Sequence, residues 1–312
     1  MLFYFIMKMT LQELEVSERI HIMETYYDLN ALLEDRIDNQ SIATYYKHSD
    51  FFYNLIHSHG GHSIHMGLSD DGFFKKSDFS QQAKFIGEYI TDSSIKILEV
   101  GAGKLYNTKY LAKSFPNNQF TAMDLPNRNF LKSRVPKNVS LMEGDFNDLS
   151  IFPENSFDIV FGVETVCHAK SKKHVLGEIH RVLKPGGKII LFDGYDARPQ
   201  DEMSDIERRA SRLTWAAMRV PFNDIYVGDM RRYFDELLFK EVSFTDLSEK
   251  IRPTLRKLDR TSCYYYTHPR LMKLLRRFIS EDVTMNSIAG WLMLLTFDGT
   301  NIHKYCRIIA TK

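Results

Sequence analysis

Ile95-Lys96-Ile97-Leu98-Glu99-Val100-Gly101-Ala102-Gly103 is the stretch whose reading decides the fold. The run from Ile95 to Val100 reads as a buried strand. It stops at two glycines and an alanine, where missing side chains let a ligand come close to the backbone. Tyr106 to Phe115 then shows the apolar spacing of a helix. A glycine turn alone serves structure as readily as binding, and the dinucleotide fingerprint needs a further glycine where Tyr106 stands, which demotes a nicotinamide enzyme.

The alternation continues outward from this unit. Gln119 to Met123 forms a short strand ending on Asp124, Val139 to Met142 precedes Gly144-Asp145, and Phe157 to Phe161 precedes Glu164. His168 to Leu183 reads as an amphipathic helix closed by Lys184-Pro185-Gly186-Gly187, and Lys188 to Asp193 as another buried strand. Helix Asp229 to Leu238 and strand Glu241 to Thr245 follow. His303 to Ala310 reads as a last strand, set antiparallel because a short connection favours a hairpin over a crossover.

These elements predict an α/β fold: a Rossmann-like, doubly wound, seven-stranded sheet, mostly parallel with an antiparallel last strand. Helical spacing over Ser41 to Phe52 and Phe79 to Ile90, separated by the polar His57 to His62, predicts an N-terminal helical lid over residues 1–84. Residues 85–312 form the main domain, with helical insertions at about 195–227 and 250–295.

Each strand hands an acid to the loop that follows it. Asp124 is placed to accept from both ribose hydroxyls of a nucleoside, because a carboxylate accepts twice. Asp145 is placed to accept from an adenine amino group, and Glu164 to position either the cofactor or the substrate. Carboxyl ends of parallel strands are where open α/β sheets bind ligands, and three acids in this order argue for an adenosyl group.

These residues resemble the class I S-adenosylmethionine-dependent methyltransferases. Glu99-Val100-Gly101-Ala102-Gly103 is similar to their first motif, Asp124-Leu125 to the ribose-acid position, and Gly144-Asp145-Phe146 to the adenine motif. The resemblance covers roughly Phe85 to Asp193 plus the last strand. It implies S-adenosyl-L-methionine as cofactor, held by Glu99, Gly101, Ala102, Gly103, Asp124, Leu125, Asp145, Phe146 and Glu164. Leu105 stands where the family usually has a third glycine. A narrower likeness joins Glu164-Thr165-Val166-Cys167-His168-Ala169 and Arg181 to Gly187 to the sterol C-methyltransferases and their tocopherol-methylating relatives. Tyr26-Tyr27-Asp28 and His62 to Gly67 in the lead-in are similar to the same group, as is Asp246 to Pro253.

In-line displacement at a sulfonium methyl needs two reactants held near contact, and neither a metal nor a covalent nucleophile; no metal site is expected. Aromatic faces steady a cation and exclude water, so Tyr26, Tyr27 and Tyr265 of the Tyr264-Tyr265-Tyr266 triplet are candidate substrate-side residues, together with His65. Ordinary packing is the competing reading for all of these tyrosines. His168, His65 and Glu164 are candidate general bases for an acceptor that must lose a proton.

Bulk properties narrow the partners. With 41 basic and 40 acidic residues the net charge is +1, which provides no global field for a polyanion, so nucleic acid is not expected. Lys170-Ser171-Lys172-Lys173 and Arg231-Arg232 read as solvated helix faces. Three cysteines, spaced without a C-x-x-C pair, point to a reducing, cytoplasmic compartment. Met1 to Met7 lacks the features of a signal peptide, and no stretch reaches the roughly 20 apolar residues of a membrane span, so stable membrane insertion is not expected. A homodimer is left open. The expected function is methyl transfer to a small molecule: a lipid, sterol-like, prenyl quinone or natural-product acceptor. The alternatives are O- or N-methylation of a polar metabolite and a catalytically silent adenosyl-binding protein.

Overall fold

The computed structural model describes residues 14–52, 63–126, 130–222, 224–277 and 279–312. Met1 to Met7 and His57 to His62 lie outside the described residues. The strands are β1 (Lys96–Val100), β2 (Gln119–Asp124), β3 (Val139–Glu143), β4 (Phe157–Val163), β5 (Leu183–Asp196), β6 (Lys240–Asp246) and β7 (His303–Thr311). They form one sheet in the order β3-β2-β1-β4-β5-β7-β6. β1 to β5 pair in parallel, and β7 runs antiparallel to both β5 and β6. The direction of winding reverses between β1 and β4, which opens a crevice at their carboxyl ends.

The helices are α1 (Val16–Glu24), α2 (Leu29–Glu34), α3 (Asn39–Phe52), α4 (Gln81–Gly87), α5 (Tyr106–Ser114), α6 (Lys172–Val182), α7 (Asp205–Ala217), α8 (Val227–Glu236), α9 (Ser248–Tyr266), α10 (Pro269–Leu275) and α11 (Glu281–Phe297). Strand alternation divides the sheet's side chains between two cores. Ile97, Phe161 and Phe192 face α4 and α5, whereas Leu98, Val160 and Leu191 face α6 and α8. Burial on both faces explains why these strands read as continuous apolar runs.

Three expectations change, and two helices come in addition. β7 is antiparallel, but no short hairpin sets it: α9, α10 and α11 intervene between β6 and β7. The helix expected from His168 begins at Lys172, where the Ser171 hydroxyl accepts from the His174 N–H at 3.3 Å; Val166–His168 forms a separate 3-10 turn. Lys172 is no solvated residue, being fully buried with an Nζ that has no hydrogen-bond partner among the described residues. Helices α1 and α2 were not legible as periodic segments; α2 is set by Asp28, whose side chain accepts from the N–H groups of Asn30 and Ala31.

The remaining helices cover the carboxyl end of the sheet. α11 packs on α7, α9, α3 and α1. Arg19 of α1, fully buried, donates from Nη1 to Asp259 of α9 and to the Trp291 carbonyl of α11, both at 2.5 Å. One guanidinium thus ties three helices that are distant in sequence. Among the described residues no helix is long and apolar enough to cross a membrane.

Candidate active site

The turn after β1 holds its shape through positive φ angles. Gly101 has φ +63° and Gly103 +51°. A Cβ on Gly101 would sit 2.2 Å from Thr165 Cγ2, so only glycine fits there. Leu105 adopts φ 65° and ψ 25°, the left-handed conformation that glycine takes at no steric cost, and buries its side chain against Ala102, Ala122 and Phe130. The loss of the third glycine therefore leaves the backbone path intact. The left-handed geometry costs about 1–2 kcal/mol, offset by burial of an apolar side chain.

Asp124, Asp145 and Glu164 lie at the carboxyl ends of β2, β3 and β4, all half-buried and on neighbouring strands around β1. The Gly103 N–H donates to Asp124 Oδ2, and the Leu125 N–H to Oδ1 at 2.7 Å. Burial still pushes this carboxyl up to about 6. Asp145 accepts from Asn39 Nδ2 of α3 at 2.5 Å and from Asn147 at 2.9 and 2.6 Å. Glu164 adopts φ +53°, a strained backbone for a non-glycine residue. Its Oε1 accepts from the Met66 N–H at 2.7 Å and the Tyr305 hydroxyl at 2.8 Å, and burial raises its carboxyl to about 7.

Two cofactor candidates lie deeper. Phe146 packs in the core with Met123 and Leu149. Glu99 is buried, accepts from the Thr108 N–H at 3.1 Å and the Thr108 hydroxyl, and is pushed up to about 8 by desolvation. It ties β1 to the start of α5.

Beside Glu164 lies an apolar chamber of about 250 Å³, roofed by α3, α7, α9 and α11. Ile64, Met66, Trp215, Leu255, Met293 and Phe297 are representative of its walls. No lysine or arginine occurs among its described lining residues. The polar side chains at the Glu164 end are His168, Tyr46 and Tyr305. The Tyr46 hydroxyl is 2.9 Å from His168 Nε2, and His168 Nδ1 is 3.0 Å from the Arg219 carbonyl. A carbonyl only accepts, so Nδ1 carries the proton and Nε2 accepts from Tyr46. Burial lowers the imidazole to about 4, so it is neutral.

The structure brings Glu164, His168 and Tyr265 to the chamber and leaves the other acceptor-side candidates outside its lining. His65 is buried, with Nδ1 3.1 Å from the Ser63 hydroxyl and Nε2 2.8 Å from the Phe79 carbonyl. Tyr27 sits behind the wall, its hydroxyl 2.9 Å from that of Tyr265 and donating to the Thr284 carbonyl at 3.0 Å. The Tyr26 ring packs on Tyr266. Sequence reading missed Tyr45, Tyr46 and Tyr305. The first two stand inside the recognised Ser41–Phe52 periodicity, and Tyr305 on the recognised last strand, but no local signal marks which face meets the site.

The donor set fits an adenosyl cofactor. Gly101 and Gly103 stay part-exposed beside the crevice, Glu164 Oε2 has no partner among the described residues, and each Asp124 oxygen keeps acceptor capacity beyond its one backbone N–H. Such a fold and acid set define a nucleoside-binding α/β protein.

Comparison with known proteins narrows that class. Residues 98–191 match the family described as Methyltransferase domain. Over 244 residues the chain is 26% identical to a glycine/sarcosine/dimethylglycine N-methyltransferase of Actinopolyspora halophila, covering 74% of this chain and 41% of that protein. It is 27% identical to an S-adenosyl-L-methionine-dependent Diels-Alderase of Talaromyces variabilis, covering 77% and 87%. It is 28% identical to a sterol 24-C-methyltransferase of Neurospora crassa, covering 51% and 43%. The chain thus spans less than half of two of these three relatives. The geranyl diphosphate C-methyltransferase from Streptomyces coelicolor superposes with a TM-score of 0.63 at 14% identity over 87% of this chain and 96% of that one, a likeness of fold. The chain carries a class I S-adenosylmethionine-dependent methyltransferase domain.

Proposed function

We propose that the chain methylates an uncharged, predominantly hydrocarbon small molecule of the lipid, sterol-like, prenyl quinone or natural-product kind. The observation that carries this reading is the chamber beside Glu164: apolar walls, with no cation among the described lining residues to meet a carboxylate or diphosphate. A carboxylate or phosphorylated acceptor would leave its charge unpaired there, at a cost of several kcal/mol.

S-adenosylmethionine supplies an activated methyl group on sulfur. Asp124 would hold the ribose, Asp145 the adenine and Glu164 the methionine end, with Gly101 and Gly103 allowing close approach. Residues 1–84 and the two helical insertions act as a lid that keeps water from the reacting groups. Where the acceptor sheds a proton, the neutral His168 receives it at Nε2, with Tyr46 as the hydroxyl between. The oxygen of a newly methylated oxonium product, or a C–H beside the cation left by C-methylation, is a strong acid, so even an imidazole lowered to about 4 suffices.

Incubation with methyl-labelled cofactor and separate lipid and aqueous extracts tests the reading. Label in an organic-soluble product supports it. Label confined to water-soluble amines or phosphates would overturn it.

A further inference from the structure

Charge is distributed unevenly in this nearly neutral chain. Residues 250–277, which hold most of α9 and all of α10, contain nine lysines and arginines and one acid, Asp259, leaving 32 basic against 39 acidic residues elsewhere. Asp259 is spent internally on Arg19. Arg256, Arg260, Arg270, Lys273 and Arg277 are exposed and form no ion pair among the described residues. Lys257 is lowered to about 8, first by burial and then by the neighbouring Lys76.

Large apolar side chains stand among these cations. Phe73 is 73% exposed, Leu274 51% and Tyr264 44%. Phe73 is presented by a built loop: the Ser69 N–H donates to the Lys250 carbonyl at 2.8 Å, and Lys257 Nζ lies 4.4 Å from the Phe74 ring centroid. At 100° per residue, Arg256, Lys257, Arg260 and Tyr264 share one outer face of α9. Leu255, Leu258, Ser262 and Tyr265 of the same helix line the chamber. Thr261, between the two faces, is the one exposed residue among the described chamber-lining residues, so the chamber wall borders the basic face.

We infer that the outer face of α9, with the Phe73 loop and α10, docks on an anionic lipid bilayer. Cations alone would suit a nucleic acid equally well. Exposed phenylalanine, tyrosine and leucine set among them suit an interface that is charged above and apolar below. The docking requires nothing of the catalytic reading; only the further step, that an apolar acceptor passes from the bilayer into the chamber past Thr261, rests on it.

Flotation of the full chain with phosphatidylcholine vesicles, with and without phosphatidylserine, tests the surface. We expect binding only to the serine-containing vesicles, and release in high salt. Arg256→Gln/Lys257→Gln/Arg260→Gln lowers the partition coefficient roughly 100-fold, from about fivefold per charge. Phe73→Ser lowers it about tenfold through lost apolar burial. Calorimetric binding of S-adenosylhomocysteine, unchanged in these variants, certifies their fold and separates failure of docking from failure of the cofactor assignment. Three results would overturn the proposal: no binding, equal binding to both vesicle types, or charge-dependent capture by a duplex oligonucleotide that outcompetes the vesicles and ignores Phe73→Ser.

Discussion

His168 is held between a hydroxyl and a carbonyl: Tyr46 lies 2.9 Å from Nε2 and the Arg219 carbonyl 3.0 Å from Nδ1. The carbonyl fixes the Nδ1–H tautomer, and burial keeps the ring neutral to about pH 4. We expect ¹⁵N-histidine spectra to show that tautomer, with Tyr46→Phe shifting Nε2 and sparing Nδ1. His168→Ala should lower turnover of the extract-derived acceptor by roughly 100-fold or more while cofactor affinity holds. An Nε2–H tautomer would remove the proton-accepting role.

Asp124 gives a second expectation. Loss of two hydrogen bonds to ribose in Asp124→Ala should weaken S-adenosylhomocysteine binding by at least about tenfold, with the fold retained. Its carboxyl, raised by burial to about 6, accepts fully only when ionised. Wild-type affinity should therefore climb as pH rises through 6 and level off above it, whereas the variant stays flat. Calorimetry across that range reads both, and a matching pH dependence in the variant would rule Asp124 out.

Glu99 gives a third. Its carboxyl is raised from an ordinary 4.5 to about 8 by desolvation, so the folded chain holds a proton that the unfolded chain releases. The stability this contributes is whole below about 4.5 and is lost as pH rises toward 8. Glu99→Gln mimics the protonated form. Urea unfolding should show the variant gaining on the wild type with rising pH, by about 2–4 kcal/mol at pH 8. Parallel curves would mean that Glu99 is ionised in the fold.

Leu105 gives a fourth. Glycine there would relieve left-handed strain of about 1–2 kcal/mol but delete a fully buried side chain worth about 2–5 kcal/mol. Leu105→Gly should be less stable by about 1–3 kcal/mol in urea, with S-adenosylhomocysteine affinity within about threefold of the wild type. Tighter binding in the variant would show that the leucine distorts the turn.

The sheet was legible because its signals are local. Apolar runs such as Ile95 to Val100 and the acids at their ends fall within a few residues of each other, and the resemblance built on them led to the same domain. The chamber was not legible in that way. Tyr46 meets His168 across 122 residues and Tyr305 meets Glu164 across 141, and nothing in α3 or β7 distinguishes those tyrosines from core aromatics. Lys172 misled for the opposite reason: a charge in a basic run looks solvated, yet helix phase turns this one inward. Helix α1 escaped because its buried face includes Arg19, an ion that periodicity counts as surface.

The Arg19–Asp259 pair spans 240 residues, with the Trp291 carbonyl farther still along the chain. During synthesis the guanidinium of α1 must wait for a further 240 residues before it finds its counter-charge. The central sheet gathers most of its partners earlier, and the ceiling above the acceptor closes among the last events of folding. Until then the apolar side chains destined for the chamber wall have no roof to cover them, which is the state in which such a chain is prone to aggregate.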